Sequence, residues 1–312
     1  MKALVTGGAG FIGSHLVDAL IQRNYNVTVF DNLSSGSTDF IKHHFDHKNF
    51  RFIEADLIDE DAIRMAMKDQ EVVFHIAANP DVRRGAEQPD IALTDIIATY
   101  NLLDAMRHHQ VKKIVFSSSS TIYGETPPIP LPETYGPLLP ISVYGAAKLA
   151  AEGLITSFSH TFNMRCWLFR FANVIGERGT HGVLVDFIHK LRKNPKELEI
   201  LGDGKQKKPY LYVTDCVEGM LFGFDHASDP INVFNLGCAS ATDVTSIAGF
   251  VVDAMDLSDV TYQYTGGKRG WRGDVPQFQF DITKITQLGW TPSYTSDEAV
   301  KKAIAILLRD NI

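Results

Sequence analysis

A tyrosine four residues ahead of a lysine, Tyr144-Gly145-Ala146-Ala147-Lys148, is a grouping that suggests proton chemistry. In a helix, positions i and i+4 share a face, so the phenol and the ammonium address one site. A free phenol, with a pKa near 10, is a poor base at neutral pH. A cation about 4 Å away, at an effective dielectric of about 20, is worth at most about 4 kcal/mol, or about 3 pKa units. That brings the phenol toward a useful general-base range. Upstream, Ser117-Ser118-Ser119-Ser120-Thr121 offers hydroxyls for a substrate alcohol or carbonyl. One catalytic serine among them suffices.

A second grouping suggests phosphate binding. Gly7-Gly8-Ala9-Gly10-Phe11-Ile12-Gly13 supports both GxGxxG and GxxGxxG readings. Small residues there permit a tight turn, and the amides of a following helix face a pyrophosphate. Asp31 follows Val27-Thr28-Val29-Phe30, about 20 residues on, where a ribose-binding acid is expected. A carboxylate there accepts ribose hydroxyls and repels a 2′-phosphate, which favours NAD over NADP.

Both groupings need elements to hold them. Lys2–Thr6, Val27–Phe30, Phe50–Ile53, Val72–Ile76, Lys113–Ser117 and Met164–Arg170 read as short buried strands. Phe11–Arg23, Asp59–Met67, Ile91–His108 and Val143–His160 read as helices. Continuous apolar strands alternating with helices predict an α/β fold, a doubly wound parallel sheet covered on both faces. In such sheets ligands bind beyond the carboxyl ends of the strands.

After Asn173 glycines and charges become denser, with helices expected at Val183–Leu191, Thr214–Phe224, Val244–Met255 and Glu298–Leu308. The chain of 312 residues is long enough for about two domains. The expected division is a dinucleotide-binding domain over 1–172, joined by parts of 209–240, and a smaller α/β substrate-binding domain over 173–312. Asn232–Leu236 is expected to return as a strand to the first sheet. Thr126–Pro140, with six prolines, is expected to be an irregular loop.

With 30 Lys+Arg against 37 Asp+Glu, the net charge is -7, so the basic footprint of a nucleic-acid or acidic-membrane binder is missing. No apolar stretch approaches the roughly 20 residues needed to span a bilayer. Three cysteines without CxxC spacing point to reduced thiols in a cytoplasmic protein.

Taken together these motifs resemble an extended short-chain dehydrogenase/reductase. More closely, the chain is similar to NAD-dependent nucleotide-sugar epimerases of the UDP-glucose 4-epimerase type. The similarity runs through the glycine turn, Asp31-Asn32-Leu33, Asp56-Leu57, His75-Ile76-Ala77-Ala78 and the serine run. It continues through Tyr144 with Lys148, Asn173-Val174-Ile175-Gly176, Gly202-Asp203-Gly204 with Tyr212-Val213, and Arg272-Gly273-Asp274-Val275-Pro276.

The resemblance implies a Rossmann-type sheet, bound NAD, a UDP-sugar substrate and a homodimer built on a four-helix arrangement. It makes Tyr144 the base, Lys148 its partner and Ser119 the contact to the sugar 4-hydroxyl, with Thr121 assisting. Gly7, Gly10, Phe11, Ile12, Gly13, Asp31, Asn32, Ser35, Gly36, Asp56, Leu57, Ile76, Ala77, Ala78 and Ser117 fall at cofactor positions. Asn173, Val183, Leu184, Lys208, Tyr210, Arg269, Arg272 and Phe278 fall on the nucleotide-sugar side. Arg269 and Arg272 compete for the diphosphate. A ring at Phe278 favours glucose and galactose over N-acetylated sugars; N-acetylated and uronic analogues stay open.

The chain also departs from the family pattern. Asn79-Pro80-Asp81-Val82-Arg83-Arg84 replaces a segment that carries a cofactor-contacting lysine, so Arg83 or Arg84 compensates, reads a substrate carboxylate, or is simply solvated. Thr94-Asp95 stands where relatives often carry asparagine. Related 4,6-dehydratases and decarboxylases place an acid after the serine or threonine of this strand, where this chain has Thr121-Ile122, and isoleucine supplies no proton. A dinucleotide-sensing regulator, the non-enzymatic alternative, is free to lose Tyr144 or Lys148; both are present. His43 and His47 have i, i+4 spacing, but no third ligand is evident, so no metal is expected and an exposed loop or helix is the simpler reading.

Overall fold

The computed structural model describes residues 1–79, 87–127 and 130–310. Arg83 and Arg84 lie outside them. The chain forms two compact units, one of residues 1–122, 138–170 and 220–234, the other of 123–137, 171–219 and 235–312. The 123–137 segment therefore groups with the second unit, and of the expected 209–240 contribution only 220–234 groups with the first.

The first unit is a seven-stranded parallel sheet flanked by helices. Its strands are β1 (Lys2–Thr6), β2 (Asn26–Asp31), β3 (Phe50–Glu54), β4 (Val72–His75), β5 (Lys113–Ser119), β7 (Arg165–Phe171) and β12 (Ile231–Leu236). They lie in the order β12-β7-β5-β4-β1-β2-β3. Chain order turns back between β1 and β4, and that switch point opens a crevice beyond the strand ends. Thr6 pairs with both Phe30 and His75, so the ends of β1, β2 and β4 are level.

The helices are α1 (Phe11–Gln22), α2 (Glu60–Met67), α3 (Asp90–His108) and α4 (Val143–Phe162). Leu4, Val73, Ile114 and Leu168 of the sheet, Met67 of α2, Leu102 and Met106 of α3 and Ile155 of α4 share one buried core. Each such aliphatic side chain contributes about 1.5–3 kcal/mol on burial. A further helix, α6 (Val213–His226), places Phe224 against Phe74 and Trp167. Arg170 of β7 makes two bonds to Glu152 of α4, Nε to Oε1 at 3.1 Å and Nη2 to Oε2 at 2.9 Å. This buried fork fixes the rotation of α4, the helix that carries Tyr144 and Lys148.

In the second unit, β8 (Asn173–Ile175) pairs with β11 (Tyr210–Tyr212), β9 (Glu197–Ile200) with β14 (Thr261–Tyr264), and β10 (Lys207–Lys208) with β13 (Thr242–Asp243). Its helices are α5 (Val183–Lys193), part of α6, α7 (Val244–Ala254), α8 (Thr283–Gln287) and α9 (Ser296–Arg309). Thr295 and Glu298 cap α9 reciprocally. The proline-rich stretch is not wholly irregular. Pro130–Leu131 (β6) pairs with Gln279–Phe280 (β15), a two-residue rung whose first position tolerates proline.

The β2–β3 connection holds two 3-10 turns, Thr38–Phe40 and Lys42–His44, rather than an α-helix. His43 and His47 therefore do not share a helical face, and a third residue, Asp18 of α1, meets His43 and His44. This corrects the expectation that no third ligand is at hand.

Candidate active site

The glycine turn sits at the switch point. Gly7 has φ +69°, and a Cβ there would lie 2.6 Å from the Ala77 amide nitrogen. A Cβ on Gly13 would lie 2.0 Å from the Gly7 carbonyl oxygen. Only glycine permits β1, β4 and α1 to converge this closely. No side chain caps the start of α1, leaving its first-turn amides to a ligand.

Asp31 closes β2 and is 8% exposed. Its Oδ2 accepts the Ala9 amide at 2.9 Å and its Oδ1 the Leu33 amide at 2.8 Å. Burial pushes its carboxyl up, and the two amides oppose the shift. Asn32 donates to Asp56 at 2.8 Å, which joins two of the expected adenosine contacts. Leu57 is buried, and its carbonyl accepts from Asn101 at 3.1 Å. Gly36 lies against Ala9, while Ser35 is exposed. Ile76, Ala77 and Ala78 are half-buried at the end of β4. The expected cofactor positions thus lie at or just beyond the carboxyl ends of β1 to β5.

Beyond β5 the Ser119 hydroxyl accepts the Thr121 amide at 3.2 Å and the Thr121 hydroxyl at 3.0 Å. Ser142 caps α4 by accepting the Gly145 amide at 3.1 Å. A Cβ on Gly145 would lie 2.8 Å from the Thr121 carbonyl oxygen, so the first turn of α4 presses on this segment. Tyr144 consequently sits close enough to Ser119 for the hydroxyl to favour the phenolate. Lys148 donates to the Ser117 carbonyl at 2.7 Å, and its ammonium lies 5.9 Å from the Tyr144 ring centre.

The electrostatics correct the simple two-group picture. Tyr144 is partly exposed but densely surrounded. Burial pushes its phenol up to about 12; Asp95 pushes the same way, and Ser119 alone opposes. Lys148 is 5% exposed, and burial brings it down to about 8 against the pull of Asp95 and Glu152. Desolvation therefore outweighs the lowering expected from the lysine in the protein by itself.

Asp95 was noticed in the sequence only as a departure, not as a site residue. Both its carboxylate oxygens lie 3.3 Å from the Asn79 amide, and burial raises its pKa while Lys148 lowers it. It lines a small cavity with Ala77, Ala78, Phe116, Ala147 and Lys148. His75, beneath this cavity, bonds Thr6 at 2.8 Å and Thr99 at 3.1 Å. Burial holds His75 down at about 3, so it stays neutral and both its nitrogens are engaged. That removes it as a rival base.

In the second unit Asn173 pairs with Tyr210 across β8 and β11, and burial pushes the Tyr210 phenol up while Asn173 opposes the shift. Val183 and Leu184 open α5, with Leu184 buried. Lys208 is ion-paired to Asp274. Arg269 donates to the Asp274 carbonyl at 2.8 Å and is ion-paired to Glu125. Two of the three expected phosphate-side cations thus already hold carboxylates, while the third, Arg272, is exposed. The Phe278 ring packs 5.3 Å from Phe280. Sequence order gave no sign of Glu125 or of Asp274 as the link between Lys208 and Arg269.

The family model for the NAD dependent epimerase/dehydratase family matches residues 3–237. The chain belongs to that family. Among curated relatives, the UDP-glucose 4-epimerase of Mycolicibacterium smegmatis is 31% identical, with 97% of each chain covered. A crystal structure of a UDP-galactose 4-epimerase superposes with a TM-score of 0.89 at 41% identity, covering 99% of both chains. A UDP-N-acetylglucosamine 4-epimerase from Methanobrevibacter ruminantium superposes with a TM-score of 0.87 at 30% identity, covering 99% of this chain and 98% of that one.

An NAD-dependent epimerase/dehydratase must cradle a pyrophosphate and hold two ribose rings. The residues present fit that requirement. Glycines 7 and 13 admit no Cβ, the α1 amides face the crevice, and Asp31 presents a carboxylate at the ribose end. Lys148 stands at the other end, beside Tyr144.

Proposed function

We propose that this chain interconverts UDP-glucose and UDP-galactose by inverting C4 of the sugar. The observation that carries this reading is Tyr144 on one helix with Lys148, whose ammonium lies 5.9 Å from the phenol ring centre and donates to Ser117 of the serine run, in the unit that also carries the dinucleotide turn. When bound, NAD accepts the C4 hydride and returns it to the other face of the transient 4-keto sugar, and its nicotinamide charge adds to that of Lys148.

Tyr144 takes the 4-hydroxyl proton and gives it back. A phenol near 12 is almost wholly protonated at neutral pH, so it needs the added positive charge before it can give up its own proton and accept one from the sugar. Ser119, which receives the Thr121 hydroxyl, has its own proton free to donate toward the sugar O4 or toward the phenolate. Lys148 keeps its ammonium against Ser117, beside the phenol, and holds the nicotinamide ribose.

On the substrate side, Asn173 and the Val183–Leu184 segment hold the uridine end. Lys208 and Arg269 release part of their hold on Asp274 and Glu125 to meet the diphosphate, and Arg272 adds to it. The ring of Phe278 supports glucose over N-acetylglucosamine. Ile122, fully buried, stands where a dehydratase needs its acid, which supports epimerisation over dehydration.

A cytoplasmic homodimer is part of the proposal. Leu93, Ile97 and Tyr100 form an exposed apolar stripe on α3, and the three cysteines are free and buried. No helix among the described residues is long and apolar enough to cross a membrane.

The test incubates the protein with NAD and a panel of UDP-glucose, UDP-N-acetylglucosamine and UDP-glucuronate and separates the products by chromatography. UDP-galactose is the expected product. A dehydrated or decarboxylated sugar overturns the epimerase reading, and turnover of only an acetylated or uronic sugar overturns the substrate.

A further inference from the structure

Asp18, His43 and His44 lie apart from the cofactor and tyrosine residues and take no part in the proposed reaction. Asp18 comes from α1, and the histidines come from the β2–β3 connection. Nε2 of His43 lies 2.9 Å, and Nε2 of His44 2.7 Å, from the same carboxylate oxygen, Asp18 Oδ1. The three ligand atoms lie within 4.8 Å of one another, and this is the one such grouping of His, Cys, Asp and Glu found among the described residues.

The meeting is built into the fold. The Ser37 amide donates to the Ala9 carbonyl at 2.9 Å, Ile41 is fully buried, and a 3-10 turn then presents the two histidines side by side, ring centres 4.0 Å apart. Two imidazoles converge nitrogen-first on a single oxygen. A metal ion in place of the two bridging protons uses the same three atoms, once each imidazole shifts its proton to Nδ1 and offers the Nε2 lone pair.

Bonds of about 2.0–2.2 Å in tetrahedral geometry put ligand atoms about 3.3–3.6 Å apart. The present 2.7–2.9 Å edges need to open by only about half an ångström, which side-chain rotation supplies. His44 is 12% exposed and His43 48%, so one side is anchored and the other admits an ion and a water. Two imidazoles and one carboxylate select borderline transition ions over Mg²⁺ or Ca²⁺.

We propose that Asp18, His43 and His44 bind one divalent transition ion of the Zn²⁺ or Co²⁺ type, with water at the open position. The ion ties α1 to the segment that carries Asn32, Ser35 and Gly36. This proposal does not depend on the sugar reading.

The test uses the untagged full chain, stripped with chelator and titrated with Co²⁺ while its visible absorption is followed, with Zn²⁺ stoichiometry from equilibrium dialysis. One ion per chain is expected, together with slower amide exchange over residues 37–49. His43→Ala and His44→Gln, each confirmed folded by circular dichroism, should weaken Co²⁺ binding at least about tenfold, as loss of a ligand costs no less than loss of a group that merely orients one. His47→Ala should leave binding intact, since His47 accepts the Asn49 amide and is outside the trio. Lack of binding at millimolar Co²⁺, unchanged binding in the His43→Ala/His44→Gln double variant, or loss in His47→Ala overturns the proposal.

Discussion

Replacing Lys148 by methionine should weaken the enzyme and, at neutral pH, leave the fold no less stable. Lys148 has a pKa of about 8 in the fold against 10.5 for the free group, a drop of 2.5 units. At about 1.36 kcal/mol per unit, its buried charge costs about 3 kcal/mol of stability wherever both states are protonated. The sign follows from proton counts. Below pH 8 both states carry the proton, and the cost is full. Between pH 8 and 10.5 the unfolded chain holds more protons than the fold, so stability rises with pH and the cost disappears. Methionine fills similar volume without a charge but leaves the Ser117 carbonyl without its donor, a loss of about 1–3 kcal/mol at every pH. The variant should therefore be about 0–2 kcal/mol more stable than wild type at pH 7 and less stable at pH 10.5 by about the value of the lost bond. The swing of about 3 kcal/mol does not depend on how large that bond is. Urea unfolding at pH 7, 8.5 and 10.5, on protein freed of cofactor, measures it. Parallel curves for the two proteins would refute the claim that burial depresses Lys148.

Tyr144→Phe should lower kcat by about 10²–10⁴-fold while NAD content stays near wild type; undiminished turnover removes Tyr144 from its role. Asp95 raises both Tyr144 and Lys148, so Asp95→Asn should move the acid limb of the kcat profile to lower pH, and an unmoved profile places the carboxylate outside the site's electrostatics. Gly13→Ala forces a Cβ onto the Gly7 carbonyl and should cost about 1–3 kcal/mol together with cofactor affinity, measured by thermal melting and NAD retention. Gly153→Ala, exposed on α4 with open space at its Cβ, should instead gain about 0.5–1 kcal/mol.

Features set by local pattern were legible in the sequence. The strand ends at Thr6 and Asp31, the glycine turn and the Tyr144/Lys148 face follow from period-2 and period-3.6 patterning and lie where the spacing predicts. What was not legible depends on packing between distant segments. Asp95 meets Lys148 across 53 positions of sequence only because α3 and α4 pack side by side. Asp274 captures both Lys208 and Arg269, a pairing that no spacing rule anticipates. The histidine run showed an i, i+4 pair, but buried Ile41 and the tight turn after it select neighbours His43 and His44 instead. A two-charge picture gives the Tyr144 shift the wrong sign, because the desolvation of the phenol and the nearby Asp95 come from packing that spacing does not reveal.

The fold's tolerance of Lys148 has a physical source. A lone ammonium in this position would lose its proton, yet Lys148 stays near 8 because Asp95 and Glu152 both favour its charge. Glu152 also takes the two bonds from Arg170, so β7 fixes the position of this carboxylate on α4 without touching Lys148. The result is an ammonium still mostly protonated at neutral pH but close to its titration point. Its charge is thus available to a phenol that needs it, and sensitive to any further positive charge brought nearby. In the proposed reaction, the cationic ring of a bound NAD would lower Lys148 and Tyr144 together, so a phenol held near 12 would become a usable base only with that cofactor in place.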